Sequence, residues 1–117
     1  MLGTLRQVII AVDDIDAAVA HYRDDLGLEL QFQDGTRWAA FTLGELTLGL
    51  AGPGEHPAQG SEPALGVKVA DIDAAIRWHL DNGGKLIAEP RMGAHERRAT
   101  CRDRFGTLVA LYEPLAA

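Results

Sequence analysis

The chain states one motif twice. Val12-Asp13-Asp14-Ile15-Asp16-Ala17-Ala18 returns as Val69-Ala70-Asp71-Ile72-Asp73-Ala74-Ala75, six identities in seven at an offset of 57 residues. Looser matches follow at Val19/Ile76, Asp24/Asp81 and Gly27/Gly84. A chain of 117 residues has room for two such copies and no third. Stacked solenoids need three or more repeats to bury a continuous core. The repeat therefore predicts two related half-domains, with a cleft where they meet.

Each copy carries the same local signals. Residues 5–12 are short, β-branched and end at acidic residues, as a strand does. Asp14 is placed to cap a helix whose apolar face is Ile15, Ala18/Val19, Tyr22 and Leu26, with Gly27 ending it. Residues 28–32 alternate as a half-buried strand. Asp34-Gly35 marks a hairpin into strands 37–43 and 46–50 across Gly44-Glu45. Residues 52–63 are dense in Gly and Pro and read as a flexible linker. The second copy repeats the plan: strand 65–69, Asp71 cap, a helix lined by Ile72, Ala75/Ile76 and His79/Leu80, a Gly83-Gly84 stop, then strands 85–88, 94–102 and 107–112. The expected fold is α+β in one domain: a first βαβββ module over 1–51, a linker over 52–63 and a second module over 64–117. With one helix per module, the two modules are expected to form a curled mixed sheet with helices outside and a concave cup inside.

Composition excludes several classes. Net charge is −6, which argues against nucleic acid as a partner. No apolar run approaches the ~20 residues of a membrane span. The opening residues turn polar too soon for a secretion leader, and the single cysteine, Cys101, forms no intrachain disulfide. A cytoplasmic protein with a buried structural thiol is expected. The basic cluster Arg91, Arg97, Arg98, Arg102 and Arg104 reads as a solvated strand edge taken as a whole.

Strand, Val-x-Asp-Ile, helix, Tyr22 and Leu26-Gly27-Leu28 together resemble the opening of a vicinal oxygen chelate domain. This superfamily holds glyoxalase I, extradiol dioxygenases and the fosfomycin- and bleomycin-resistance proteins. The run from Arg98 to Pro114, with its Asp103-x-x-Gly106 turn, resembles the C-terminal hairpin of the same family. The resemblance implies metal ligands seven residues before each helix cap and four before the proline closing each half. Those positions hold Gln7, Ala64, Gly49 and Ala110. Glu113, near the family's terminal glutamate, falls on the opposite side of the strand by alternation. His21, His56, His79 and His95 have no partners at ligand spacing and read as surface or helix-face residues. One neutral amide does not hold a divalent ion against water, so no metal and no other cofactor is expected.

If Gln7 faces the cup, Ile9 and Ala11 share its side while Val8, Ile10 and Val12 pack under the helix. By the same alternation Lys68, Arg98, Arg102 and Tyr112 face inward, with Ala99 and Cys101 in the core. Gly49, Gly66 and Ala110 leave room, and Trp38 offers a flat stacking surface. Gln7, Trp38, Gly49, Lys68, Arg98, Arg102 and Tyr112 are the candidate ligand contacts. Lys68, Arg98 and Arg102 favour a carboxylate, phenolate or phosphate; the acidity of the whole chain favours a cationic ligand; the sign stays open. The leading reading is a binding protein that sequesters a small organic molecule in the cup of a homodimer. The alternative is a metal-independent lyase, isomerase or cyclase using Lys68, Arg98, Tyr112 or His95 for acid–base work. The ligand positions oppose a metal-dependent glyoxalase or dioxygenase.

Overall fold

Two aspartates start the two helices. In the computed structural model, which describes residues 3–115, the Asp14 carboxylate accepts from the Ala17 N–H at 3.0 Å and Asp71 from the Ala74 N–H at 3.1 Å. Both cap residues are extended, as a helix N-cap requires. The elements are β1 (Thr4–Ala11), α1 (Ile15–Ala20, running on into a π-helical turn at His21–Asp25), β2 (Glu29–Asp34), β3 (Trp38–Leu43) and β4 (Leu46–Ala51). They continue with β5 (Ala64–Lys68), α2 (Ile72–Asp81), β6 (Lys85–Met92), β7 (Glu96–Arg102) and β8 (Leu108–Pro114). The fold is α+β, with the order βαβββ appearing twice. Its eight strands form a mixed sheet in the order β2-β3-β4-β1-β5-β8-β7-β6. Pairing is parallel for β1 with β4 and β5 with β8, and antiparallel for β2–β3, β3–β4, β6–β7 and β7–β8. The residues fall into two units: Gln7–Pro63, and the residues from Ala64 onward together with Thr4–Arg6.

In the first unit, Ile15 and Val19 of α1 pack on Ala39 and Phe41 of β3 and on Leu48 and Leu50 of β4, with Val8 and Ile10 of β1 alongside. Strand alternation then sends Gln7, Trp38 and Gly49 to the face without a helix. The helix departs from the expected regular face at its end. Leu26 N–H bonds the His21 carbonyl, five residues back, so the wider turn carries Leu26 off the apolar stripe and leaves it 56% exposed. Leu28 packs against the core instead. Gly27 has φ +70°, where a side chain would be strained.

The segment read as a flexible linker is organised around a histidine. His56 is buried, and its Nδ1 accepts from the N–H groups of Ala58 and Gly60, each at 3.0 Å. Its Nε2 therefore carries the hydrogen and donates to the Glu62 carbonyl at 2.6 Å. One ring thus replaces the backbone pairing that a Gly- and Pro-rich loop lacks. His56 is neither a surface nor a helix-face residue, contrary to the sequence expectation.

In the second unit, Ile72, Ala75 and Ile76 of α2 pack on Val67, Ala99, Cys101, Val109 and Leu111. Burial pushes the Cys101 thiol pKa up, which makes it an inert core group. Glu113 lies on the helix side of β8, where its carboxylate accepts from the Ile72 N–H at 2.8 Å. Helix α2 therefore has two carboxylates at its positive end, Asp71 and Glu113. Asp103 builds the last turn by accepting from the N–H groups of Phe105 and Thr107, and Gly106 takes φ +89°. Strand β6 runs to Met92 rather than stopping at Ala88. It takes in Pro90, which an edge strand tolerates, and its register shifts between Leu86 and Ala88 and again between Ala88 and Arg91.

His79 is buried on α2 and Leu80 is exposed, so of that pair only the histidine belongs to the packed face. Burial lowers the His79 pKa, with Asp103 opposing the shift. The unfolded chain takes up this proton near pH ~6.5 and the folded chain only at lower pH. The contribution is thus fully present above the unfolded value and is lost as pH falls through the folded one. Urea titrations at pH 7.5 and 5.5 should show wild type losing more stability on acidification than His79→Leu. Equal losses would contradict this.

Candidate functional site

On the helix-free face of the first unit, three predicted residues meet. Gly49 of β4 pairs with Ala40 of β3 and with Ile9 of β1. Trp38 and Gln7 reach over it along opposite diagonals. A Cβ built on Gly49 would stand 2.6 Å from Trp38 Cζ2, 3.4 Å from Cε2 and 3.3 Å from Gln7 Oε1. The room left by this glycine is therefore taken by the indole. Trp38 and Gln7 are half-buried, so part of each side chain remains in reach of solvent. This arrangement offers stacking and hydrogen bonding.

On the helix-free face of the second unit, registers place Lys68 of β5 beside Tyr112 of β8, and Tyr112 beside Arg98 of β7. Arg98 in turn lies opposite Arg91 of β6. With strands ~4.8 Å apart, these four form one lateral row. Lys68, Arg91 and Arg98 are exposed and Tyr112 is half-buried. The adjacent row is small: Gly66, Ala110, Thr100 and Ala88. Arg102 lies two rows away, opposite Leu108, and its guanidinium donates to the Gly106 carbonyl at 2.8 Å. It is engaged at the turn. Arg91 was not among the candidates, because Pro90 hid the continuation of β6; its position beyond a Gly93 hairpin from Arg98 was the available signal.

Among the described residues no three of His, Cys, Asp and Glu gather as a metal site. An open hollow of about 550 Å³ lies between α2 and β6, lined by Ile76, Arg77, Leu80, Leu86 and their neighbours. None of the candidate ligand residues lines it.

A duplicated βαβββ unit, each copy with a helix on one sheet face and polar or small residues on the other, defines the fold class, and such a scaffold does not by itself set a function. The chain belongs to the Glyoxalase/Bleomycin resistance protein/Dioxygenase superfamily, whose family profile matches residues 4–111. It is 38% identical over 111 residues to an uncharacterized protein of Mycolicibacterium smegmatis, covering 95% of this chain and 94% of that one. It is 35% identical to an ethylmalonyl-CoA/methylmalonyl-CoA epimerase of Cereibacter sphaeroides, covering 95% and 98%. Among solved structures, a methylmalonyl-CoA epimerase from Streptomyces coelicolor in complex with 2-nitronate-propionyl-CoA superposes with TM-score 0.73 at 26% identity, covering 99% of this chain and 100% of that one.

The crowding at Gly49 is directly testable. Gly49→Ala places a methyl inside the Trp38 ring position, so the indole must move. A loss of about 1–3 kcal/mol of stability is expected, as for other overpacked sites. In a Trp78→Phe background, where Trp38 is the only tryptophan, its emission should shift on this substitution. An unchanged spectrum and unchanged stability would show that the ring does not rest on Gly49.

Proposed function

We propose that this chain is a metal-free binding protein of its superfamily, a cytoplasmic homodimer that holds a small organic molecule against its helix-free strands. The Trp38–Gly49 contact carries the reading. The position from which a fourth-strand ligand would reach a metal is a glycine, and the space above it is filled by an indole rather than by a donor. Gln7 supplies one neutral amide, while Ala64 and Ala110 supply no donor. Glu113, the carboxylate of the last strand, faces α2 and accepts from the Ile72 N–H. This donor set does not fit a divalent ion, which needs several charged or strongly basic side chains converging. Trp38 and Tyr112 offer flat surfaces, and Gly66 and Ala110 in the row next to Tyr112 leave room for a ligand.

The test is elemental analysis of purified protein, with the melting temperature taken before and after chelation. Metal well below one ion per chain and an unchanged melting temperature are expected. About one stabilising, removable ion per chain would overturn the reading. Light scattering checks the dimer.

A second reading has its own support in the similarity to an epimerase along nearly the full chain. In this reading the protein moves a proton at the carbon next to a thioester carbonyl, with Lys68 and its cross-strand neighbour Tyr112 as the exchanging groups. Deuterium uptake at that carbon of an acyl-CoA, slowed at least about tenfold by Lys68→Ala or Tyr112→Phe, would favour it. No exchange in wild type would leave sequestration as the function.

A further inference from the structure

We propose that the row Lys68–Tyr112–Arg98–Arg91 is an oxyanion site that takes the carboxylate or phosphate of a small ligand. The inference rests on the small-molecule reading above and assigns the sign of the ligand's charge.

Arg91 and Arg98 are direct cross-strand partners on one face. Like charges in that position destabilise a sheet. The same hairpin repeats the arrangement at Lys85 and Arg102. An acidic neighbour would relieve the repulsion, yet none of Lys68, Arg91 and Arg98 makes an ion pair among the described residues. Arg97, next in sequence but on the helix side of the same strand, does have one, with Asp73 at 3.5 Å. The two faces of β7 are thus treated oppositely.

Protection of a sheet edge explains Arg91, because β6 is an edge strand. It does not explain Arg98 or Lys68, since β7 and β5 each have a strand on both sides. Nor does the fold impose the charges. In the first unit the corresponding row is Asp34–Trp38–Ala51–Ala11, with no cation. The cations belong to the second copy alone, at uncompensated cost.

The geometry suits a planar or tetrahedral oxyanion. Neighbouring strands put Arg91 and Arg98 about 5 Å apart and Lys68 about 10 Å from Arg98. The Arg98 guanidinium lies against the hairpin, with Nε and Nη2 each 3.7 Å from where a Gly93 Cβ would be. Two guanidinium forks can grip one carboxylate or phosphate, and the Tyr112 hydroxyl is a further donor. The small neighbouring row at Gly66, Ala110 and Thr100 gives space for the ligand's body.

The experiment is an NMR titration of the full chain, separately with inorganic phosphate and with malonate, at constant ionic strength set by chloride. Saturable shifts at Arg98 Nε–H and the Tyr112 amide are expected, and the tighter probe identifies the group recognised. Arg98→Gln should weaken binding at least about tenfold, while Arg97→Gln leaves it unchanged. Arg91→Ser should raise the melting temperature of the free protein by about 1–4 °C and reduce the stabilisation by anion. No saturable response to either anion, or equal damage from Arg97→Gln, would overturn the proposal. Trp38 quenching by neutral or cationic compounds without any anion response would overturn the oxyanion row and leave the small-molecule reading standing. A saturable anion response with no organic ligand for Trp38 would support the row and count against that reading.

Discussion

Everything on the candidate faces depends on where the two helices lie. Asp14 and Asp71 each hold the first turn of a helix, and the isoleucine that follows each is buried completely or nearly so. A helix docked in this way covers one side of its own strands. Because side chains alternate along a strand wherever its register is unbroken, the apolar set under the helix assigns every other residue of β1, β3, β4, β5, β7 and β8 to the opposite side. A one-residue slip of β7 would move Ala99 and Cys101 out of the core and bring Arg98 into it. The burial of an arginine without a partner would cost far more than the slip could return. The register of the charged row is thereby held by the apolar contacts behind it.

The two copies share that framework and differ on the exposed side. Equivalent registers pair Gly49 with Ile9 in one and Ala110 with Gly66 in the other. Where the first copy has Trp38, the second has Arg98; where the first has Ala51 and Ala11, the second has Tyr112 and Lys68. Residues under the helices stay apolar in both, since each must fill a core. Substitution on the other side is limited only by space and charge. Chemical divergence between the copies has concentrated there, as expected where residues fill no core.

Most of this was legible because it depends on period and punctuation. The helix caps, the Gly27 and Gly83 stops, and the Asp103 turn follow from local backbone needs, and the faces follow from alternation. Three features were hidden, each for a physical reason. The π-helical turn breaks the 3.6-residue spacing, so Leu26 was assigned to a face it leaves. Pro90 normally ends a strand, and only the edge position of β6 permits it, so Arg91 was not seen opposite Arg98. The order in residues 52–63 comes from one imidazole bonding three backbone groups, and composition reports only the glycines and prolines around it. For the first candidate set, Gln7, Trp38 and Gly49 could be placed on one side from sequence. That Trp38 lies directly over Gly49 requires a diagonal reach that spacing does not encode.

The contact between Trp38 and Gly49 also limits what the first copy can hold. A glycine beneath an indole is a mutual commitment: any side chain at 49 displaces the ring, and a smaller residue at 38 opens a void. A side chain long enough to ligate a metal cannot stand at 49 without displacing Trp38. The first copy is therefore committed to aromatic contact. The second carries no such block: Ala110 and its row neighbours Gly66 and Thr100 are small, and the next row holds Lys68, Arg98 and Arg91, whose positive charge attracts an anion. The helix-free faces of the two copies thus differ in kind, with aromatic packing in one and positive charge in the other.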